Sequence, residues 1–203
     1  MVTKVKICGI TSIEDALHAA AAGADAIGLN FCAGSPRCVG VELAAEIAAA
    51  LPEGVRKVGV FVDMPRAEVQ RIAEHVGLDA LQFHGNEEAE FCTGWQWQTI
   101  KAVRVRDGKS LARAPLSAAD LILADAFVDD RPGGTGHRIP VEWLVGVPAD
   151  RLILAGGLTP DNVAEAIRAV HPMAVDVASG VERAPGVKDA EKVERFIANV
   201  RLA

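Results

Sequence analysis

The chain has 203 residues, half of them hydrophobic, and carries a net charge of −6 with a sequence pI near 5.4. That much apolar material suits one domain with a sizeable core and argues against disorder. The acidic balance argues against a nucleic-acid or anionic-membrane surface, and no apolar run approaches the roughly 18 residues of a membrane span, which leaves small molecules as the partner class.

From the amino terminus, Met1-Val2-Thr3-Lys4-Val5 enters a strand at once with no signal-peptide pattern, so a cytoplasmic protein is expected. Short β-branched runs then alternate with alanine-rich amphipathic segments, the pattern of repeated strand–helix units around a parallel sheet. Strands are predicted over 5–8, 26–31, 57–62, 80–83, 99–103, 121–125, 152–155 and 174–178. Helices are predicted over 14–22, 41–51, 66–76, 87–92, 110–113, 141–145, 161–169 and 189–200. Thr11 with Glu14 reads as a capping box for the first helix, and Thr159-Pro160 as the start of the seventh. The last helix presents an apolar stripe of Val193, Phe196, Ile197 and Val200 beneath a charged face.

Eight parallel strands close into a barrel, so the expected fold class is α/β, a single-domain (βα)8 TIM barrel over residues 1–203. An open doubly wound sheet would more often carry a glycine fingerprint after its first strand, and here that strand ends in Cys8-Gly9-Ile10-Thr11. Functional side chains should gather at the carboxy-terminal ends of the strands.

Cys8, His84 and Asp125 end the first, fourth and sixth strands, while Arg37 lies in the second loop within Ser35-Pro36-Arg37. Each has a plain alternative: a small buried hydrophobe for Cys8, loop hydrogen bonds for His84 and Asp125, a solvated charge for Arg37. Three glycine-rich turns follow strands six, seven and eight: Gly133-Gly134-Thr135-Gly136, Gly156-Gly157 and Ser179-Gly180. Each alone suits an ordinary turn, but in this late-barrel order they favour backbone amides approaching a phosphate. Strand alternation puts Lys6 on the face of Cys8, and a lysine inside a barrel needs a partner or must snorkel to solvent. Asp176, on the neighbouring eighth strand and opposite in parity to Val175 and Val177, is the expected partner, and the pair is expected to bias Cys8 toward thiolate. Cys32, Cys38 and Cys92, irregularly spaced and without zinc-type histidines, read as free packing thiols, as Trp95, Trp97 and Trp143 read as core and shell.

Lys6-Ile7-Cys8-Gly9-Ile10-Thr11, together with Ser35-Pro36-Arg37, Asp125, the glycine turns and Ser179-Gly180-Val181-Glu182, resembles phosphoribosylanthranilate isomerase, a tryptophan-pathway family that performs an Amadori rearrangement. The motifs keep the family's order from residue 6 to residue 182. The resemblance implies Cys8 as general base, Asp125 as general acid, Arg37 on the anthranilate carboxylate and His84 in support. It implies Gly134, Gly156, Gly157, Ser179 and Gly180 around the sugar phosphate, a small-molecule phosphosugar substrate, no cofactor and no metal. Ala178 stands where many relatives carry a second serine, which removes one side-chain contact and leaves the backbone site. A monomer is the expected assembly, with a dimer as the alternative. Two rival readings are a barrel enzyme on another phosphosugar, which would call for metal-binding histidines or two aspartates across the barrel, and a noncatalytic phosphosugar-binding barrel, which needs neither Cys8 nor Asp125.

Overall fold

The short β-branched runs form strands because their side chains pack on both faces of a buried parallel sheet, and the alanine-rich segments cover that sheet as helices. A computed structural model describes residues 2–111, 118–126, 139–144 and 146–203. In chain order the elements are β1 (Lys4–Cys8), α1 (Ile13–Ala21), β2 (Ala26–Asn30), α2 (Val41–Ala50), β3 (Arg56–Phe61), α3 (Arg66–Val76), β4 (Ala80–Phe83), β5 (Gln98–Val105) and β6 (Leu121–Ala126). They continue with β7 (Leu152–Ala155), α4 (Val163–Val170), β8 (Ala174–Val177), a hairpin of β9 (Glu182–Ala184) and β10 (Val187–Lys188), and α5 (Ala190–Arg201). β1 to β8 are parallel and close into a barrel, with β1 bonded to both β2 and β8.

Alternation along each strand divides the apolar residues into two layers. Val58, Ile100, Leu121, Leu123 and Ile153, with Ala80, Ala102, Ala155 and Ala174, fill the barrel interior. Ile7, Ile27, Leu29, Phe61, Phe83, Ile122, Leu154 and Val175 face outward into the layer between strands and helices. At the amino-terminal end a repeated device ties neighbouring strands together. Asp25, Asp79 and Asp120 immediately precede β2, β4 and β6, and their carboxylates accept the amides of Val5, Lys57 and Thr99 on the preceding strands at 2.8, 2.7 and 2.8 Å. No helix among the described residues is long and apolar enough to cross a membrane.

The helices depart from expectation in several places. Residues within 87–92 and 141–145 form 3-10 turns, Ala89–Cys92 and Val141–Leu144, because so few residues cannot repay helix nucleation. The predicted 110–113 helix falls partly outside the described residues, as does residue 145. Ser12, not Thr11, caps α1: its hydroxyl accepts from the Asp15 amide at 3.1 Å, while the Thr11 hydroxyl donates to the Gly186 carbonyl at 2.5 Å. Thr159 and Pro160 precede α4 in a separate turn, where Asn162 accepts from the Thr159 amide at 2.8 Å. The β9–β10 hairpin leaves no mark in the sequence pattern, its three- and two-residue strands being too short for a periodic signal.

Candidate active site

The carboxy-terminal mouth of the barrel holds a cavity of about 340 Å³. Cys8, Arg37, His84, Asp125, Gly156, Gly157, Ser179 and Gly180 all border it, so one cavity gathers eight of the residues expected from sequence. The ninth, Gly134, lies outside the described residues with the rest of its turn.

Beneath Cys8 the floor is ionic. Lys6 and Asp176 lie opposite each other across the β1–β8 seam, and Lys6 Nζ meets Asp176 Oδ1 at 2.8 Å with the lysine 2% exposed. Gly28 on β2 makes the room, since a Cβ there would stand 2.7 Å from Cys8 Sγ and 3.0 Å from Lys6 Nζ. Burial works to lower the Lys6 pKa, but Asp176 and Cys8 reverse that and hold it above the usual lysine range. Cys8 corrects the expectation of a thiolate. Burial pushes its thiol above the ordinary value, Lys6 and Lys188 oppose that shift without overcoming it, and Asp176 reinforces it. Lys6 outweighs Asp176 at the thiol, so the pair does favour the thiolate, and burial is what overrides it.

Arg37 reaches the cavity by crossing over Gly9, whose φ of +71° and missing Cβ are both needed: a Cβ there would sit 2.6 Å from Arg37 Cδ. Ser35, which accepts the Arg37 amide at 3.1 Å and a hydrogen bond from Asn30 Nδ2 at 3.2 Å, holds the loop to β2. The guanidinium is already engaged by a carboxylate. Its Nε and Nη2 donate to Glu182 Oε1 and Oε2 at 2.8 and 2.7 Å, a two-bond fork to the β9 strand. Burial would raise the Glu182 carboxyl, yet hydrogen bonds from Arg37 and Lys188 hold its pKa below the usual glutamate value.

Across the mouth, His84 Nε2 lies 3.3 Å from Asp125 Oδ2, and His84 Nδ1 lies 3.2 Å from Gln82 Nε2. The loop after His84 is tied down by Glu87, which accepts the Asp63 amide at 2.9 Å and receives Lys101 Nζ at 2.6 Å. On the remaining side, Gly156 and Gly157 take φ of +82° and +65°. A Cβ on Gly156 would collide with the Ala126 backbone, and one on Gly180 with the Leu158 carbonyl, so both turns approach their neighbours more closely than any other residue permits. Asn162 Nδ2 secures the first of them through the Gly157 carbonyl at 2.9 Å.

Two residues beside the site were missed from sequence. Gln82 sits on the interior face of β4 beneath His84, and Lys188 belongs to the hairpin that sequence did not show. A third buried lysine, Lys101 on β5, shares the outward face of Val103 and braces the loop after His84 through Gly85 and Glu87 without bordering the cavity.

A parallel eight-stranded barrel with polar and ionisable groups converging on its carboxy-terminal mouth defines a barrel-enzyme architecture with a small-molecule pocket. The family described as N-(5'-phosphoribosyl)anthranilate (PRA) isomerase matches residues 5–199, and the chain belongs to it. It is 52% identical over 198 residues to N-(5'-phosphoribosyl)anthranilate isomerase of Pseudomonas fluorescens, covering 97% of this chain and 94% of that one. The phosphoribosyl anthranilate isomerase crystal structure from Thermotoga maritima superimposes with a TM-score of 0.91 at 40% identity, covering 99% and 100% of the two chains. Another phosphoribosyl anthranilate isomerase, in complex with reduced 1-(o-carboxyphenylamino)-1-deoxyribulose 5-phosphate, matches with a TM-score of 0.85 at 40% identity over 99% and 100%.

Proposed function

We propose that residues 1–203 act as one isomerase domain that converts N-(5'-phosphoribosyl)anthranilate to 1-(2-carboxyphenylamino)-1-deoxyribulose 5-phosphate, a step of tryptophan biosynthesis, without a cofactor. The observation that carries this reading is that one cavity is bordered by Cys8, Arg37, Asp125 and the Gly156-Gly157 and Ser179-Gly180 turns in a member of this family. The complex formed by a relative with a reduced product-type ligand supports the same substrate class.

Asp125, holding a proton, gives it to the furanose ring oxygen as the C1–O bond breaks and the nitrogen lone pair forms a C1 iminium. Cys8 then removes the C2 proton, and the C–H electron pair becomes the C1–C2 double bond of an enolamine while the nitrogen regains its lone pair. Proton return to C1 and loss of the hydroxyl proton at C2 give the ketone. Burial pushes the Cys8 thiol above its ordinary pKa, and the positive iminium beside it favours the thiolate when the base is needed. Arg37 keeps Nη1 and one Nη2 hydrogen beyond its fork to Glu182, which suits the anthranilate carboxylate. His84 holds the Asp125 carboxyl in place, and the Gly156-Gly157 and Ser179-Gly180 turns take the phosphate.

Purified protein mixed with freshly generated phosphoribosylanthranilate should abolish that substrate's fluorescence at an enzymatic rate. A first-order decay no faster than the spontaneous one would end the isomerase reading.

A further inference from the structure

Lys188 has no part in the steps above, yet its ammonium is buried beside the mouth with every donor engaged. It is 3% exposed, and Nζ donates to the Cys8 carbonyl at 2.6 Å, to Glu182 Oε1 at 2.9 Å and to the Ala178 carbonyl at 3.3 Å. An ammonium has three donors, and all three are used. Burying such a group is costly unless every donor is met, so the position demands this geometry. Its acceptors belong to three separate subsites. Cys8 ends β1 and carries the thiol, Ala178 precedes the Ser179-Gly180 turn, and Glu182 holds the Arg37 fork.

The hairpin that carries Lys188 is anchored on both sides. The Lys188 amide donates to Asp15 Oδ2 on α1 at 3.1 Å, and Lys192 Nζ on α5 donates to the Glu182 carbonyl at 2.9 Å. Gly186, at φ +80°, lies against the loop of Arg37, where a Cβ would come within 3.0 Å of the Pro36 carbonyl. The ammonium is therefore placed by surrounding structure and is able in turn to place what it touches.

We propose that Lys188 is a positioning residue that sets the thiol, the guanidinium fork and the phosphate turn in one register. This inference rests on the isomerase reading of Cys8 and Arg37. Removing the ammonium frees three subsites to move independently, and a misplacement of about 1 Å costs on the order of a hundredfold in rate.

Lys188→Met removes the ammonium and keeps the apolar stem, while Lys188→Arg keeps the charge but not a single nitrogen among three acceptors. In folded protein, checked by circular dichroism and melting, both should lose about a hundredfold in kcat with a smaller change in KM. The pH profile of Cys8 alkylation by iodoacetamide should separate them. Lys6, Asp176 and Arg37 remain near the thiol in either variant, and Glu182 and Asp15 remain against the hairpin. Lys188→Met should move the profile to higher pH by removing a cation, and Lys188→Arg should leave it near wild type. In a double-mutant cycle with Arg37→Met, the loss of affinity for a carboxylate-bearing product analogue should be less than multiplicative. Wild-type kcat with an unchanged alkylation profile in Lys188→Met, or strictly multiplicative losses, would overturn the proposal. Should Lys188→Met not fold, wild-type kcat in both Lys188→Arg and Glu182→Gln would overturn it. Decay of phosphoribosylanthranilate no faster than spontaneous in the wild-type protein would instead defeat the isomerase reading itself, which distinguishes the two failures.

Discussion

At the amino-terminal end of the barrel, Asp25, Asp79 and Asp120 accept strand amides, whereas at the carboxy-terminal end Asp176 meets the Lys6 ammonium and Asp125 lies against His84 beside an open cavity. Each member of the first group accepts a strand amide whose place is set by strand pairing, with side chains such as Lys4 and Arg201 at Asp25 adding to it. The second is satisfied by side chains and still faces space a ligand can enter. One residue type thus stabilises one end of the barrel and is available for chemistry at the other, a division that carboxy-terminal loops on a rigid base make natural. Substitutions at the base should therefore register in stability and those at the mouth in activity.

The largest test of that division is at Cys8 and Asp125. Cys8→Ala and Asp125→Asn should each lose about 10²–10⁴-fold in kcat with melting temperatures close to wild type, since proton transfer is what they remove. Fluorescence assays paired with melting curves would check this; near-wild-type turnover in Cys8→Ala would refute its role as base.

Lys6→Met should break the division, because it leaves Asp176 buried without its partner. A loss of about 3–5 kcal/mol is expected in urea unfolding, together with a shift of Cys8 alkylation to higher pH, the Lys6 charge being one of the forces that lower the thiol pKa. An unchanged thiol titration in the folded variant would make Lys6 purely structural.

Arg37→Met should weaken binding of carboxylate-bearing product analogues by about 1.5–3 kcal/mol and spare analogues that lack the carboxylate. Calorimetry on matched analogues decides the matter, and equal weakening of both would remove the carboxylate assignment.

The smallest effect is expected at the base. Asp25→Asn should cost about 1–2 kcal/mol of stability at neutral pH and leave kcat unchanged. Burial would raise the Asp25 pKa, but Lys4, Arg201 and the Val5 amide reverse this and hold it below its ordinary value. A carboxylate with a depressed folded pKa stabilises above its unfolded pKa, about 3.9, and loses that contribution as pH falls through the folded value. The stability difference between wild type and Asp25→Asn should accordingly stay level from neutral to mildly acidic pH and shrink in stronger acid. A difference independent of pH down to pH 2 would contradict the ionic account.

Much of this architecture was open to reading because its signals are local. Each barrel strand is a short apolar run bounded by turn residues, and the strand-end positions of Cys8, His84 and Asp125 follow from those runs. Even the contact between Lys6 and Asp176, 170 residues apart, followed from two local parities once the barrel was taken to close. The helices were less legible where only three or four residues were available, since so short a pattern does not distinguish an α-helix from a 3-10 turn.

By itself, then, the sequence determined the strand alternation, the closure it implies and which residues stand at the mouth, because period and parity are properties of neighbouring residues. Only the tertiary structure decided that Arg37 forks onto Glu182 145 positions away and that Lys188 binds the Cys8 carbonyl 180 positions away. Neither contact leaves a periodic trace in the chain, since both arise from how a short hairpin folds back over the first strand. The upward shift of the Cys8 pKa arises at the same level, from burial and Asp176 set against Lys6 and Lys188. That balance depends on distances through a medium of low dielectric, and distances in space are what a linear order of residues does not contain.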